Sequence, residues 1–463
     1  MSLASLLKLG LMSAIEQIEP SPLNPLILTA LLASAALCFA STAHAQDHLH
    51  FLAGAAVGDL VCPSPPEPLS HTAPPADQAQ PPPAEALGEL ARAVVREQPM
   101  VDPATLAGFD PRGAGERRPL RIAVWGDSHV AAGAFMPTLI DRLQARGLTV
   151  ATRYLPPSMG RANVRLRGLR GFCVGPGWST ELAYAARERL QVGPALINRV
   201  AAGGLGSYLW LDLRSPDRQA HLRTVRIVYR APEGGILDIA VNDGPERQAV
   251  LEPGSGSRTL DLETDGEVAT VRLRVSRGRI VLHGFVLEPS APPQVGFDVF
   301  GTPSSTARGW ANLDPAYLAG ALHGETYDAV MLEYGTNDGS DPRFEPDRYA
   351  AGLQTALANL RQVFPHAACV LVGPPDRGVL WRPGDTPNVL TWSRHMQAIA
   401  AIQARVGAGF GCASWDWQAL MGGPGGGYGW LRHGPPLIGR DLTHMTSAGY
   451  RLTGEALARS LGF

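Results

Sequence analysis

The sequence predicts an α/β fold of three layers, a parallel sheet between two layers of helices, with a small β-sandwich inserted into it. Two patterns predict this. Short apolar runs alternate with helical periods at both ends of the folded part, which implies a mostly parallel sheet covered on both faces. Between them lies a block of short period-two runs with no helical pattern, as in a sandwich.

The elements follow in chain order. Residues 121–125 read as a buried strand that runs into Gly126-Asp127-Ser128. A helix is expected over 132–146, with Phe135, Leu139, Ile140 and Leu143 as its apolar stripe. Residues 224–229, 237–241, 248–251, 258–262, 269–275 and 280–287 are the alternating runs, broken by turn residues such as Asn242-Asp243-Gly244. Strand and helix then resume: a strand over 327–333 ending at Gly335, a helix over 349–363, a strand over 369–373, a helix over 389–406, a strand over 412–415 and a closing helix over 447–460. The chain divides accordingly into a leader (1–45), a linker with a short helix (46–115), a first α/β segment (116–215), the β-sandwich (216–290) and a second α/β segment (291–463).

The leader carries an apolar run over 26–40 and a small-x-small site, Ala43-His44-Ala45, before Gln46. This reads as a secretory signal peptide, too short for a comfortable transmembrane helix. The expectation is a periplasmic or secreted protein with no stable membrane insertion after cleavage. The long preceding region, with Glu16 and Glu19 against Lys8, leaves a retained anchor as the alternative. Prolines stiffen residues 46–83, and a short amphipathic helix is expected over 84–97 on Leu87, Leu90, Ala91 and Val94.

Composition excludes several classes. A net charge of −2 over 463 residues leaves no footprint for nucleic acid or anionic lipid. Lys8 is the sole lysine; the arginine bias fits either phosphate recognition or codon usage. No C-x-x-C, H-E-x-x-H or carboxylate cluster suggests a metal, and no organic cofactor is implied. Gly203-Gly204-Leu205-Gly206 lacks the strand–helix setting of a nucleotide loop. Cys369 and Cys412 begin consecutive strands, where they form either a disulfide or two buried thiols.

The chemistry lies in three short words. Ser128 stands between a strand end and a helix start, at the carboxyl edge of the sheet, where such folds bind ligands. A serine hydroxyl needs a base to become a nucleophile. His444 can be that base, and Asp441, three residues earlier, can orient it within one tight loop. Asn337, after the strand ending at Tyr334-Gly335, can donate its amide to an oxyanion. Taken singly, each word is equally a turn or a cap. No G-x-S-x-G elbow is present, which argues against the α/β-hydrolase arrangement. Asp416 is a competing acid without a histidine nearby. Trp178, Trp310 and Trp430 could stack on sugars or fill the core. The glycine-rich stretch 422–429 is either a pocket rim or a connector.

The order Ser128, Asn337, Asp441-x-x-His444 resembles the SGNH (GDSL-like) hydrolase family, over residues 120–461. Histidine directly after the serine, as in Ser128-His129, resembles the bacterial peptidoglycan O-acetylesterase and O-acetyltransferase branch. Gly373-Pro374-Pro375-Asp376-Arg377, Trp415-Asp416-Trp417, Met421-Gly422-Gly423 and Trp430 are similar to that branch too. The resemblance implies a flavodoxin-like sheet and a carbohydrate-binding-module-like insert. It implies Ser128 as nucleophile, His444 as base and Asp441 as its orienter. Asn337 and the Ser128 N–H are implied as oxyanion donors, with His129 and Trp430 near the substrate. A further backbone donor usually comes from a glycine after a strand; here Gly301 is present, but the best-aligned position is Ser304. The implied activity is removal of O-acetyl groups from an envelope glycan, most directly peptidoglycan. The alternatives are acetyl transfer to a glycan, with a membrane acyltransferase as partner, or glycan binding without catalysis.

Overall fold

The computed structural model describes residues 79–92 and 119–463, except 134, 205 and 383–387. The leader, most of the linker, and the end of the helix expected over 84–97 lie outside the described residues. Within them that helix is a turn of α-helix, Ala84–Leu87, continued by a 3-10 turn, Gly88–Arg92. Among the described residues no helix is long and apolar enough to cross a membrane.

Six strands form a parallel sheet: β1 (Leu120–Gly126), β2 (Val150–Ala151), β3 (Val295–Gly301), β4 (Ala329–Glu333), β5 (Ala368–Val372) and β6 (Cys412–Trp415), in the order β6-β5-β4-β1-β3-β2. Successive side chains of a strand point to opposite faces. Leu120, Ile122 and Val124 of β1 therefore join one apolar cluster, and Ala123 and Trp125 join another. The first cluster takes in Met136, Leu139, Ile140 and Leu143 of helix Met136–Ala145 and Leu457 of helix Ser447–Ser460. The second takes in Leu353, Leu357 and Leu360 of helix Pro346–Val363 and Ile399 and Val406 of helix Thr391–Gly409. This is the mixed α/β architecture with a buried parallel sheet that the alternation predicts. Cys369 and Cys412 pair in register on β5 and β6 and form a disulfide.

All six alternating runs between 222 and 289 are strands. They join Gly171–Val174, Trp178–Leu182, Ile197–Ala201, Tyr208–Asp212 and Tyr154–Leu155 in two antiparallel sheets. Residues of both sheets, among them Leu211, Ile239 and Leu273 of one and Ile227, Leu282 and Phe285 of the other, share a third apolar cluster. The stretch 422–429 is not an open loop: its second half belongs to helix Gly426–Arg432, whose Gly425 N-cap packs against Leu90.

Candidate active site

The site assembles at the carboxyl ends of β1, β3, β4 and β5. β1 stops at Gly126, and Ser128 opens a four-residue helix, Ser128–Ala131, rather than the single helix expected from 132. Two glycines let this helix sit on the sheet edge. A Cβ on Gly126 would meet Val130 Cγ2 at 2.3 Å, and one on Gly301, its register partner on β3, would meet Ala131 N at 2.1 Å. The Asp127 side chain caps the helix by accepting from His129 N at 2.9 Å.

Asp441 and His444 come from a tight turn over 438–445. The Gly439 N–H donates to His444 O at 2.7 Å, and Leu442 N to Gly439 O at 3.0 Å. Leu442 takes the left-handed conformation (φ +53°) that few non-glycine residues adopt, with its side chain anchored in the core. Asp441 Oδ1 accepts from the Thr443 and His444 N–H groups at 3.1 and 3.0 Å, which leaves Oδ2 for His444 Nδ1 at 2.7 Å. His444 Nε2 then lies 3.0 Å from Ser128 Oγ. The hydrogen bond with Asp441 raises the His444 pKa above that of an ordinary histidine, against the pull of burial. Burial alone would raise the Asp441 carboxyl, but its bonds to His444 and the turn N–H groups hold it below the usual value. Both side chains are about half exposed, so the charge effects are screened.

Asn337 sits in the helical turn Thr336–Gly339 after β4. Its Nδ2 donates to Asp127 Oδ2 at 3.1 Å and to Ser305 O at 2.9 Å. The amide nitrogen therefore bridges the neighbours of Ser128 and of Ser304. The loop after β3 is tied down by Thr302 N and Ser305 Oγ, which donate to Gly126 O at 2.9 and 3.0 Å. Ser304 is exposed at φ +65°, and its N–H has no hydrogen bond within the described residues. That left-handed backbone is the geometry a glycine would supply most easily. Gly301, by contrast, ends the strand and lets helix Ser128–Ala131 approach.

Near the serine lie two fully buried acids, Asp127 and Glu333, and a partly buried one, Asp338, that sequence reasoning did not single out. Burial raises the Asp127 pKa to about 6, partly offset by the bond from His129 N. Burial, and then the charge of Asp127, raises the Glu333 pKa well above that of an ordinary glutamate. Asp338 is pushed up to about 7 by burial and then by Asp127. A folded-state pKa above the unfolded value of 3.8 contributes stability that is present below about pH 4 and lost as pH rises through 7. Asp338→Asn is expected to flatten the fall of stability over that window, by up to about 1.4 kcal/mol per pH unit, which is read as a flatter Tm curve. Parallel Tm curves for both proteins would contradict it.

Two expected substrate contacts are corrected. His129 is fully buried: it shares a hydrogen bond with Tyr450 Oη at 2.9 Å and packs 5.4 Å from the His444 ring. Burial, and then the His444 charge, keeps it neutral. It supports the site from beneath and has no surface for substrate. Trp430 is fully buried in helix Gly426–Arg432 as part of the first apolar cluster, and Trp178 and Trp310 are buried too. Asp416 caps helix Trp417–Leu420 by accepting from Ala419 N at 2.9 Å, a structural task. Sequence reasoning passed over Arg377, on the loop after β5. Its charge couples to Asp441, Asp127 and His444.

Residues 286–452 match the GDSL-like lipase/acylhydrolase family. A solved peptidoglycan O-acetylesterase superposes with a TM-score of 0.59 at 20% identity, over 77% of this chain and 96% of that one, a likeness of fold. A salicylyl-acyltransferase from a tetracycline biosynthetic pathway (15% identity, 64% of this chain and 98% of that one) has a TM-score of 0.26. A family two carbohydrate esterase from Clostridium thermocellum (11% identity, 62% and 97%) has a TM-score of 0.24. These two superpositions are too loose to carry an argument. No curated protein sequence matches the chain.

Proposed function

We propose, from the GDSL-like lipase/acylhydrolase domain at residues 286–452, that the chain is an exported serine esterase that removes O-acetyl groups from an envelope polysaccharide, most directly peptidoglycan. One observation carries this reading: Ser128 Oγ, His444 and Asp441 stand in a single hydrogen-bonded row of 3.0 and 2.7 Å. A nucleophile, its base and an orienting carboxylate in that order are what acyl transfer through a serine requires.

Ser128 Oγ attacks the acetyl carbonyl carbon while His444 Nε2 takes its proton. The carbonyl oxygen becomes an oxyanion, held by the N–H groups of Ser128 and Ser304 and by a shared proton of Asn337 Nδ2. Asp441 holds the imidazole in the tautomer with Nδ1–H and stabilises the imidazolium that forms. His444 returns its proton to the departing sugar oxygen. Water, deprotonated by the same histidine, then attacks the acetyl carbon; Ser128 Oγ leaves, takes that proton back from His444, and acetate departs. No metal or organic cofactor enters this cycle. The two-sheet antiparallel unit is proposed as a carbohydrate-binding module, which would hold a polymeric substrate near the site.

The base must be neutral to act. Because Asp441 raises the His444 pKa, the acid limb of kcat/KM is expected above the ordinary histidine value of 6.5. A pH profile on a soluble acetyl ester checks this; a limb at or below 6.5 contradicts the role of Asp441.

The substrate is tested by incubating purified protein with O-acetylated peptidoglycan, with and without an acceptor glycan, beside Ser128→Ala. Acetate released by the wild type alone supports the esterase. Acetylated acceptor favours the transferase reading, in which a membrane acyltransferase supplies the acetyl group. Equal release from both proteins sinks the assignment of Ser128.

A further inference from the structure

We propose that Arg377 is a carboxylate-binding residue of the substrate site, so that the favoured substrate is an O-acetylated glycan whose sugars carry free carboxylates. This rests on the esterase reading above and narrows it.

The loop that carries Arg377 is fixed on both sides. The Asp376 carboxylate accepts from Gln418 Nε2 at 2.7 Å and from Gly427 N at 2.8 Å. Gly378 N donates to Leu442 O at 3.0 Å, inside the Asp441–His444 turn, and Val379 N donates to Tyr428 Oη at 2.8 Å. Ser393 Oγ donates to the Arg377 carbonyl at 3.3 Å. The backbone of Arg377 is thus tied directly to the turn that holds the proposed base.

The guanidinium lies over the half-buried ring of Trp392, 5.8 Å from its centroid. Its Nε is buried without a hydrogen-bond partner, and among the described residues it has no carboxylate in ion-pair range. It stands close enough to the site to feel the charges of Asp441 and Asp127 and to act in turn on His129 and His444. Burial works against its charged form. A partly desolvated cation with no anion is costly, and a ligand anion relieves that cost. Trp392 covers one side of the guanidinium and Nε is buried, while neither Nη group has a hydrogen bond within the described residues, so the two Nη groups are the donors left for a planar carboxylate through two parallel bonds. Neutral sugar hydroxyls could accept from the same edge without compensating the charge.

The test compares two acetyl-bearing substrates that differ only in that charge. One is an O-acetylated peptidoglycan glycan chain stripped of stem peptides, with free lactyl carboxylates; the other is the same chain with those carboxylates converted to primary amides. The wild type is expected to favour the carboxylate chain in kcat/KM by about tenfold or more, a preference that shrinks as salt rises. Arg377→Gln is expected to bring the ratio close to unity, and Arg377→Lys to keep part of it. No preference in the wild type overturns the proposal. So does an unchanged ratio in Arg377→Gln, which would mean that the residue acts only through His444. Binding separates this from the esterase reading. Ser128→Ala should bind the carboxylate chain more tightly than the double variant Ser128→Ala/Arg377→Gln does. If the wild type releases no acetate and that difference persists, the esterase reading fails and the subsite stands. If the two bind alike, the subsite fails.

Discussion

Ser128→Ala is expected to lower kcat/KM on any acetyl ester by at least about 10³-fold. The argument is geometric. Ser128 Oγ makes its hydrogen bond to His444 Nε2, so its removal leaves the base with nothing to deprotonate. The fold has little stake in the hydroxyl: the helix is capped by Asp127, and alanine is a good helix former at its first position. Tm should therefore change little, since such substitutions usually stay within about 0.5 kcal/mol. A variant that keeps a tenth of the activity would mean that another group attacks the ester.

Asp441→Asn is expected to cost about 10²- to 10⁴-fold in kcat, with a smaller effect on KM. The carboxylate has two tasks on separate oxygens. Oδ1 holds the turn through the Thr443 and His444 N–H groups, and Oδ2 holds the imidazole. Asparagine can keep the first through its carbonyl oxygen, but it turns an N–H toward His444 Nδ1. That stabilises the tautomer in which Nε2 carries the proton and cannot accept one from Ser128. Asp441→Ala loses both tasks, so it should also lower Tm, whereas Asp441→Asn should not. Equal Tm losses in the two variants would show that the turn, rather than the tautomer, limits activity.

The parts of the fold that were legible in the sequence are those whose signal is local. The alternating runs between 222 and 289 became strands with ends close to those expected because each buries one face. Local signals place Ser128 and Asn337 after strand ends and Asp441 and His444 in one short turn, whereas the meeting of Ser128 with His444, 316 residues apart, belongs to the tertiary fold. β3 was missed as a central strand. Its sequence, Val-Gly-Phe-Asp-Val-Phe-Gly, carries a fully buried aspartate that reads as a breaker. Only the fold shows how Asp298 is satisfied, by the Arg153 and Tyr154 N–H groups at 2.7 and 2.8 Å and Tyr327 Oη at 2.9 Å.

The remaining misses have the same cause. His129 and Trp430 lie beside site motifs along the chain but point into the core, and adjacency in sequence says nothing of direction. The raised pKa values of Asp127 and Glu333 require two residues 206 apart to meet, with Asp127 N donating to Glu333 Oε2 at 3.3 Å. Arg377 stood within a quoted motif, yet its lack of an anionic partner exists only in three dimensions. In the loop after β3, serine stands at the position where the resembled family usually has glycine. Ser304 adopts the left-handed backbone regardless, which a side chain disfavours without forbidding.

The central claim, that Ser128 is the nucleophile activated by His444, is tested most directly by a fluorophosphonate, which forms a covalent bond to an activated serine oxygen with loss of fluoride. After proteolysis, mass spectrometry should find the adduct on Ser128, with acetate release lost in step with labelling, and no adduct in Ser128→Ala or His444→Ala. An adduct on a different serine, or acetate release that survives complete labelling of Ser128, would contradict the claim.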